Sequence, residues 1–186
     1  MKKVILFLVL SLVLSAVIGL VGCGGNSLLT YTVGDTGPAG GLIFYDKGSY
    51  SDGWRYLEAA PVSTEWTAKQ WGSYGTEIGA TGTAIGTGQA NTTAIVAAQG
   101  AGNYAAQLCN DLTEGGYIDW FLPSKDELNL MYQNLHFNDV GGFAASPYWS
   151  SSEYSPSLAW YQNFGTGSQY GGGKGGTDPV RAVRAF

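Results

Sequence analysis

Short apolar stretches, separated by turns rich in glycine, follow one another along most of this chain. Each stretch alternates or runs apolar and is bounded by Gly, Pro, Asp or Ser, which is the pattern of β-strands. One long intervening segment, residues 62–89, is rich in Gly and Thr, and we interpret it as an ordered loop held by its aromatic side chains. The predicted strands are residues 28–33, 41–45, 54–59, 148–152, 158–164 and 180–186.

Helical spacing of apolar residues occurs first between residues 91 and 112. Asn91 is a candidate N-cap for a short helix that ends at Gln99, since asparagine is favoured at that position. After Gly100, apolar residues recur at helical spacing as far as Leu112. Cys109 lies beside this apolar face and is expected to be a buried, unreactive thiol.

The second helical region begins with the sharpest local signal in the chain. Ser124 is followed three residues later by Glu127, which is the spacing of a capping box. An apolar face follows as far as Leu135, and Gly141 and Gly142 end the segment. Two helices among short strands, with strands clustered at the end, predict an α+β fold with two helices and a small antiparallel sheet.

The first residues have the pattern of a bacterial export signal. Lys2 and Lys3 precede an apolar run over residues 4–18, and residues 20–23 match a lipobox, in which small residues precede a cysteine that is lipidated. Cys23 is therefore the predicted site of lipid attachment. The predicted segments are a signal peptide at residues 1–22, a lipidated linker at 23–30 and a ligand-binding domain at 31–186.

A transmembrane anchor is the alternative interpretation of the apolar run. The run is marginal in length, and Gly24 and Gly25 follow the lipobox instead of a basic stop-transfer cluster. We therefore expect a lipid-anchored protein at the outer membrane and cell surface, attached to the membrane only through its acylated N-terminus.

Composition argues against several classes of function. The net charge of −5 and the 12% content of charged residues give no electrostatic basis for binding nucleic acid. His136 is the only histidine, so a site with several histidine ligands is excluded and a Ser-His-Asp triad would depend on this one residue. The glycine runs lack the phosphate-binding patterns of nucleotide sites. We expect no enzyme activity, no metal and no cofactor.

The segment between Tyr154 and Pro179 has the composition of a binding surface. About half of its residues are Gly, Ser or Tyr, and only Lys174 and Asp178 carry charge. Antibody-like binding sites share this composition, because tyrosine supplies large rigid contacts while serine and glycine adapt around it. A flexible glycine-rich loop without a role is the alternative. Ordered strand patterns on both sides favour a display surface.

Three motifs give the chain a family resemblance: residues 120–128, 148–153 and 181–184. With them, the chain resembles bacterial surface domains related to the C-terminal domain of the Legionella collagen-like adhesin. It is also similar to the retroelement-diversified variable lipoproteins of treponemes. The resemblance implies a C-type lectin-like fold of the formylglycine-generating-enzyme subtype, with a variable ligand-binding region at residues 148–186. The calcium-binding signatures of true C-type lectins are absent from the sequence, so calcium-dependent sugar binding is not implied.

The resemblance also divides the C-terminal segment into variable and scaffold positions. Diversification that replaces adenines in asparagine codons cannot produce Lys, Gln or Trp, so Trp160, Gln162, Gln169 and Lys174 are expected to be scaffold. The partner would be a protein or another macromolecule. The candidate ligand-binding residues are Ser155, Pro156, Ser157, Leu158, Tyr161, Gly165, Ser168, Tyr170, Gly171, Gly172, Gly173, Gly175, Gly176 and Asp178.

Alternation along the predicted strand 158–164 assigns the directions of its side chains. Trp160 and Phe164 are expected to point toward the core, while Tyr161 points outward, as Tyr170 does on its own segment. The outward tyrosines would then be the main anchors of a ligand.

Two other functions remain open at this point. A fixed adhesin for glycosaminoglycans would need clustered cations, for which the C-terminal segment offers Lys174, Arg181 and Arg184. An oxidase of the formylglycine-generating type uses a cysteine pair, whereas the domain contains Cys109 alone.

Overall fold

The computed structural model describes residues 29–186, of which residues 31–186 form one compact unit. Two short 3-10 helices, Val62–Thr64 and His136–Asn138, accompany the longer elements. The α-helices are α1 (Gly88–Gln99), α2 (Ala105–Asn110) and α3 (Lys125–Asn134). The strands are β1 (Leu42–Ser51), β2 (Trp54–Ala59), β3 (Trp66–Gln70), β4 (Pro147–Ser155), β5 (Leu158–Asn163), β6 (Gln169–Gly173), β7 (Thr177–Val180) and β8 (Val183–Ala185).

The strands form three small antiparallel sheets. The first has the order β1-β2-β8, so the last strand of the chain completes a sheet that began near its start. The second pairs β3 with β7, and the third has the order β4-β5-β6. A mixed fold of helices and antiparallel strands is therefore confirmed, and residues 29–186 contain three α-helices in place of two and three sheets in place of one.

Two buried clusters of side chains form the core, and β4 contributes to both of them. The first, called here the tryptophan cluster, contains Trp71, Trp120 and Trp149. The second, called the phenylalanine cluster, contains Phe44, Phe121, Phe143 and Phe164, together with Tyr148. Because adjacent residues of a strand point to opposite faces, Tyr148 and Trp149 direct their rings into different clusters.

Helix α3 begins as the sequence predicts. The Ser124 hydroxyl accepts a hydrogen bond from the Glu127 N–H at 3.3 Å, and a Glu127 carboxylate oxygen accepts one from the Ser124 N–H at 2.7 Å. Both residues are fully buried, so the capping box also fixes the helix against the loop before α1. The buried side of α3 then presents Leu128 and Met131 to the phenylalanine cluster.

The first predicted helical region differs from the structure at its beginning. Thr87, not Asn91, occupies the N-cap position of α1. Asn91 lies inside the helix, where its side-chain amide bonds both the carbonyl and the N–H of Gly82. A polar side chain that hydrogen-bonds the backbone of a distant loop is thus easily mistaken for a helix cap. The predicted end at Gln99 is confirmed.

Three further predictions for the first half of the chain are corrected. Residues 29–33 are not a strand, although Tyr31 packs edge-on against Tyr56. The predicted loop at residues 62–89 contains β3, which carries few buried side chains and therefore lacks a clear apolar pattern. The apolar spacing between residues 101 and 112 yields only the short helix α2.

The end of the chain contains more strands than the sequence predicts. The predicted strands at residues 148–152 and 158–164 correspond to β4 and β5. Residues 180–186 divide between the end of β7 and the short strand β8. Strand β6 was not predicted, because its residues, Gln-Tyr-Gly-Gly-Gly, include three glycines and carry no apolar alternation.

The predicted signal peptide, and most of the predicted linker with Cys23, lie outside the described residues. Within residues 29–186, no helix combines the length and the apolar character needed to cross a membrane.

Trp149→Ala should lower the free energy of unfolding by about 3–5 kcal/mol, because a large buried ring is replaced by a cavity. The indole is 1% exposed and its N–H donates to the Lys69 carbonyl at 2.9 Å, so an acceptor also loses its partner. Urea unfolding followed by tryptophan fluorescence measures the effect. Phe137→Ala, at an exposed aromatic residue, is the control and should change stability by less than about 0.5 kcal/mol. Equal midpoints for the two variants would contradict the assigned core.

Candidate ligand-binding surface

The fourteen candidate residues lie on the β4-β5-β6 sheet, in its turns and in β7. We call the set they form the C-terminal surface. The sheet is built by two hairpins, one turning at residues 155–158 and the other at 163–168. After β6 the chain turns through Gly175 and Gly176, and β7 leaves this sheet to pair with β3.

None of the fourteen candidates is buried. Tyr170 is the most prominent aromatic among them, with 54% of its surface exposed. The exposed members are Pro156, Gly165, Tyr170, Gly171, Gly175 and Gly176, and the half-buried members are Ser155, Ser157, Leu158, Tyr161, Ser168, Gly172, Gly173 and Asp178.

The expected scaffold residues are placed differently. Lys174 and Gln162 are completely buried, although they lie among the exposed candidates in the sequence. Trp160 and Gln169 are half-buried, and the Gln169 side-chain amide donates to the Lys125 carbonyl at 2.8 Å. Buried and exposed positions thus alternate closely along this segment.

A buried ion pair supports the C-terminal surface from below. The Lys174 ammonium lies 2.5 Å from a Glu153 carboxylate oxygen and donates to the Thr76 carbonyl at 2.7 Å. It also lies 4.7 Å from the ring centre of Trp71. Glu153 in turn accepts the N–H groups of Ile78 and Gly79. Because Lys174 and Glu153 are both buried and hydrogen-bonded, this network fixes the position of the chain between β6 and β7.

The directions predicted for β5 are only partly correct. Trp160 and Gln162 do lie on one face and Tyr161 on the other. However, Tyr161 is half-buried and packs edge-on against Trp149, so it contributes to the core. Trp160 belongs to neither cluster and instead packs against Tyr154 with ring centres 4.9 Å apart.

The reason is that both faces of this sheet are covered near β4. One face packs on the tryptophan cluster and the other on the phenylalanine cluster and α3. Alternation of side chains along β5 therefore does not separate a solvent-exposed face from a buried one. Exposure increases instead along the sheet toward β6 and toward the turn that follows Ser155.

Two aromatic residues outside the predicted set belong to the same surface. Tyr154 is 55% exposed, and Trp160 lies between it and the Lys125 ammonium, which is 5.0 Å from the indole centre. The register between β4 and β5 shifts on both sides of Glu153. Such bulges reorient side chains locally and cannot be read from the alternation of the sequence.

The glycines of the surface are not equivalent. A side chain at Gly172 would meet the rings of Tyr161 and Trp149 at 2.8–2.9 Å, so this glycine is required for packing. Gly173 and Gly175 face open space, and a Cβ at Gly171 would make ordinary contacts of 3.5 Å with Leu158 and Tyr154. Gly172 is therefore the candidate least suited to vary.

The three cations of the C-terminal segment are not available to a sulfated polymer. Lys174, Arg181 and Arg184 are between 0 and 3% exposed. Arg181 pairs with Glu65, and Arg184 pairs with Asp119 and Glu58. Their positive charge is neutralised inside the domain, so they form no basic patch.

Residues with catalytic potential are also engaged elsewhere. Cys109 is fully buried, and burial raises the pKa of its thiol far above the usual range. His136 packs against Phe164 with the rings tilted at 56° and their centres 5.2 Å apart. Among residues 29–186 no group of acidic, histidine and cysteine side chains is arranged to hold a metal ion.

Two concave cavities lie elsewhere in the domain. One, of about 220 Å³, is lined by Phe143 and Arg181, and another, of about 320 Å³, by Trp54 and Phe121. None of the candidate residues lines either cavity. These two cavities are therefore separate from the C-terminal surface.

The model of the Lcl C-terminal domain family matches residues 57–184, which is more than half of the chain. The chain belongs to this family. The predicted relation to the C-terminal domain of the Legionella collagen-like protein is therefore confirmed. Membership in the Lcl C-terminal domain family indicates a domain of the adhesin-like type found on cell surfaces. No curated protein matches the chain.

The match extends from β2 to β8 and so includes the whole C-terminal surface. Two of the three motifs that suggested the family have clear structural functions. Ser124 and Glu127 cap α3, and Arg181 and Arg184 form buried ion pairs. These two motifs therefore contain residues that maintain the scaffold.

Asp178 is expected to make stability depend on pH. Its carboxylate is half-buried without an ion pair among the described residues, and burial raises its pKa to about 6. The folded state then holds the proton more tightly than the unfolded state, so stability is lost as the pH rises from about 4 to about 6. Asp178→Asn should remove this loss and melt at a higher temperature than the wild type above about pH 6.

Thermal unfolding followed by circular dichroism, at several values between about pH 4 and pH 7.5, measures the difference. Asp52→Asn, at an exposed aspartate, is the matched control. A difference in melting temperature between Asp178→Asn and wild type that stays constant over this range would contradict the assignment.

Proposed function

We propose that this chain is a lipid-anchored bacterial surface protein whose C-terminal surface binds a protein or another macromolecular ligand. The observation that carries the proposal is the distribution of burial between residues 154 and 178. Every candidate contact residue reaches solvent, while Lys174 and Gln162, in the same segment, are fully buried. Apart from Gly172 and Tyr161, whose positions pack against the core, such a surface tolerates changes of side chain without loss of the fold beneath it.

Several features support binding in preference to catalysis. Tyr170 and Tyr154 are both more than half exposed on the same surface, and tyrosine is enriched among the residues that contribute most to protein contacts. The only free thiol in the described residues is buried, which argues against a formylglycine-type oxidase.

We infer further that the scaffold is of the C-type lectin-like type and that the surface differs between copies of the gene. The three small antiparallel sheets, with their helices and long ordered loops, are compatible with this scaffold. The burial of Lys174 and Gln162 supports their assignment as invariant residues. Sequencing the locus from several isolates tests the diversification. Substitutions should concentrate at the exposed candidates, and an even spread over residues 31–186 would exclude it.

The lipid anchor is supported by the lipobox that ends at Cys23. Because no membrane-spanning helix occurs in residues 29–186, attachment of this part of the chain would depend on the modified cysteine. Incorporation of labelled palmitate by the wild type, and its loss in Cys23→Ser, tests this anchor.

Tyr170→Ala should weaken binding to a protein ligand at least about tenfold, because an exposed tyrosine at the centre of a contact typically contributes about 2 kcal/mol. Arrays of purified extracellular proteins and polysaccharides, probed with the full chain, identify the ligand and measure its affinity. Tyr50→Ala is the matched control, since Tyr50 is 71% exposed but lies in β1. Loss of binding in Tyr50→Ala, with Tyr170→Ala unaffected, would contradict the proposed surface.

Heparin-affinity chromatography tests the glycosaminoglycan alternative. The burial of Lys174, Arg181 and Arg184 predicts no retention on heparin even at low salt. Retention that disappears as salt is raised would favour the fixed adhesin.

A further inference from the structure

Strand β6 forms an open edge of the sheet that carries the C-terminal surface. The sheet has the order β4-β5-β6, and within residues 29–186 no strand is hydrogen-bonded to the outer side of β6. The strand contains no charged residue and no proline. Natural edge strands are usually protected by such residues, by bulges or by a covering element, because an exposed edge pairs readily with another chain.

Two hydrogen bonds establish which backbone groups of β6 point outward. The Lys174 N–H donates to the Ser157 carbonyl at 3.0 Å, and the Asn163 N–H donates to the Ser168 carbonyl at 2.8 Å. Hydrogen-bonded pairs alternate along an antiparallel ladder, so Tyr170 and Gly172 also direct their backbone groups toward β5. Gln169, Gly171 and Gly173 therefore direct theirs away from it.

Gly171 is the centre of this open edge. The Gly173 carbonyl already accepts the Gly176 N–H at 2.8 Å, whereas neither the N–H nor the carbonyl of Gly171 has a partner in the described part of the chain. Gly171 is exposed, so water can reach both groups. The edge thus offers one donor and one acceptor side by side, in the geometry that a neighbouring strand would complete.

The absence of a side chain at Gly171 uncovers apolar surface beside the edge. A Cβ at this position would lie 3.5 Å from Leu158 and from the ring of Tyr154. Trp160 packs against that ring and extends the apolar floor. On the other face of the sheet, Tyr170 and Tyr161 lie together with ring centres 6.0 Å apart. Both faces therefore offer side-chain contacts immediately next to the free backbone groups.

We propose that β6 binds an extended segment of a partner protein, which adds a fourth strand to the sheet at Gly171. Paired donors and acceptors at strand spacing are complemented by another polypeptide backbone, and neither a polysaccharide nor a lipid repeats that pattern. The proposal rests on the binding function proposed above and names the class of partner. It also gives the glycines of the surface a specific role, since they keep the edge accessible.

The register of the added strand follows from the pairing. The partner residue opposite Gly171 forms a hydrogen-bonded pair with it and directs its side chain toward Leu158 and Tyr154. An aliphatic or aromatic side chain fits there. The residue opposite Tyr170 lies on the other face and contacts that ring. Specificity then comes from alternate side chains of the partner, as in other complexes formed by strand addition.

A second copy of this chain is a weaker occupant of the same edge. Two copies paired about Gly171 would place Gly171 opposite Gly171 and Tyr170 opposite Gly172, so little side-chain area would be buried, and the Gly173 carbonyl is already occupied. Stable dimers usually bury at least about 1,200 Å² in total, which one short glycine strand cannot supply.

The test compares two substitutions of the same residue. Proline at position 171 removes the outward N–H and places its ring at the edge, while the ladder to β5 does not use that N–H. Alanine retains the N–H and makes only ordinary contacts. The probe is a display library of random, unstructured linear peptides, selected against the full wild-type chain. Selected peptides should bind Gly171→Pro at least about tenfold more weakly, and Gly171→Ala within about threefold of wild type.

Two measurements on the wild-type protein keep the test valid should Gly171→Pro fail to fold. N-methylation of single peptide residues should weaken binding at alternate positions only, because every second amide of an added strand points toward β6. Hydrogen exchange of the Gly171 amide, followed by NMR, should slow at least about tenfold when peptide is bound.

The outcomes separate this proposal from the function on which it rests. Peptides or proteins that lose affinity with Tyr170→Ala but bind Gly171→Pro as tightly as Gly171→Ala would overturn strand addition and leave the binding surface intact. A library without binders, or N-methyl effects without alternation, would also overturn strand addition. Concentration-dependent dimers that Gly171→Pro abolishes would assign the edge to a second copy. Ligands that ignore both Tyr170 and Gly171 would contradict the proposed function itself.

Discussion

Buried glutamates that accept backbone N–H groups hold this loop-rich domain together. Irregular segments contain amides that no helix or sheet pairs, and a buried amide without a partner costs free energy. One carboxylate has two oxygens and can accept from several amides at once. Glu58 accepts from Ala39 and Gly41, Glu127 from Gly86 and Ser124, and Glu153 from Ile78 and Gly79.

The three glutamates differ in how their negative charge is compensated. The charge is compensated best at Glu153, which lies beneath the C-terminal surface. Burial raises the pKa of Glu127, which has no ion pair in the described residues, and that of Glu58, which lies 3.4 Å from an Arg184 nitrogen. Burial also acts on Glu153, but hydrogen bonds from Lys174 and from two amides outweigh it and leave its pKa below the ordinary value. The most fully paired carboxylate is therefore the one beneath the candidate contact residues. A surface whose side chains vary, as proposed above, would need such a support, because the support makes no use of those side chains.

Local signals allowed much of the fold to be predicted, and long-range pairing explains what was missed. The capping box of Ser124 and Glu127 acts over three residues and is visible in any sequence. Asn91 has the same chemistry as a cap, yet its partner is Gly82, in a loop that only the folded chain brings near. Strands β3 and β6 have few buried side chains, so their existence depends on neighbours that are distant in sequence.

In the candidate site too, local signals predict some features, while others depend on long-range pairing. Composition identified the exposed segment, but the directions of Tyr161 and Trp160 depend on the two clusters that cover the sheet from opposite sides. The bulges near Glu153, which accompany the exposure of Tyr154, arise from pairing with β5. A period of two in the sequence predicts alternation correctly, and it identifies the buried side only when the other side faces water.

Binding through a strand edge and variation of side chains are compatible for a physical reason. Hydrogen bonds between main chains do not depend on which side chains the strand carries, so on the proposal above β6 would retain a common means of attachment when its neighbours were replaced. The side chains of Tyr170, Tyr154 and Leu158 would then decide which partner segment fits beside the edge. A surface that had to obtain all of its affinity from side chains would lose a ligand with each replacement. At an open edge, a replacement changes the preferred partner while part of the binding free energy is preserved.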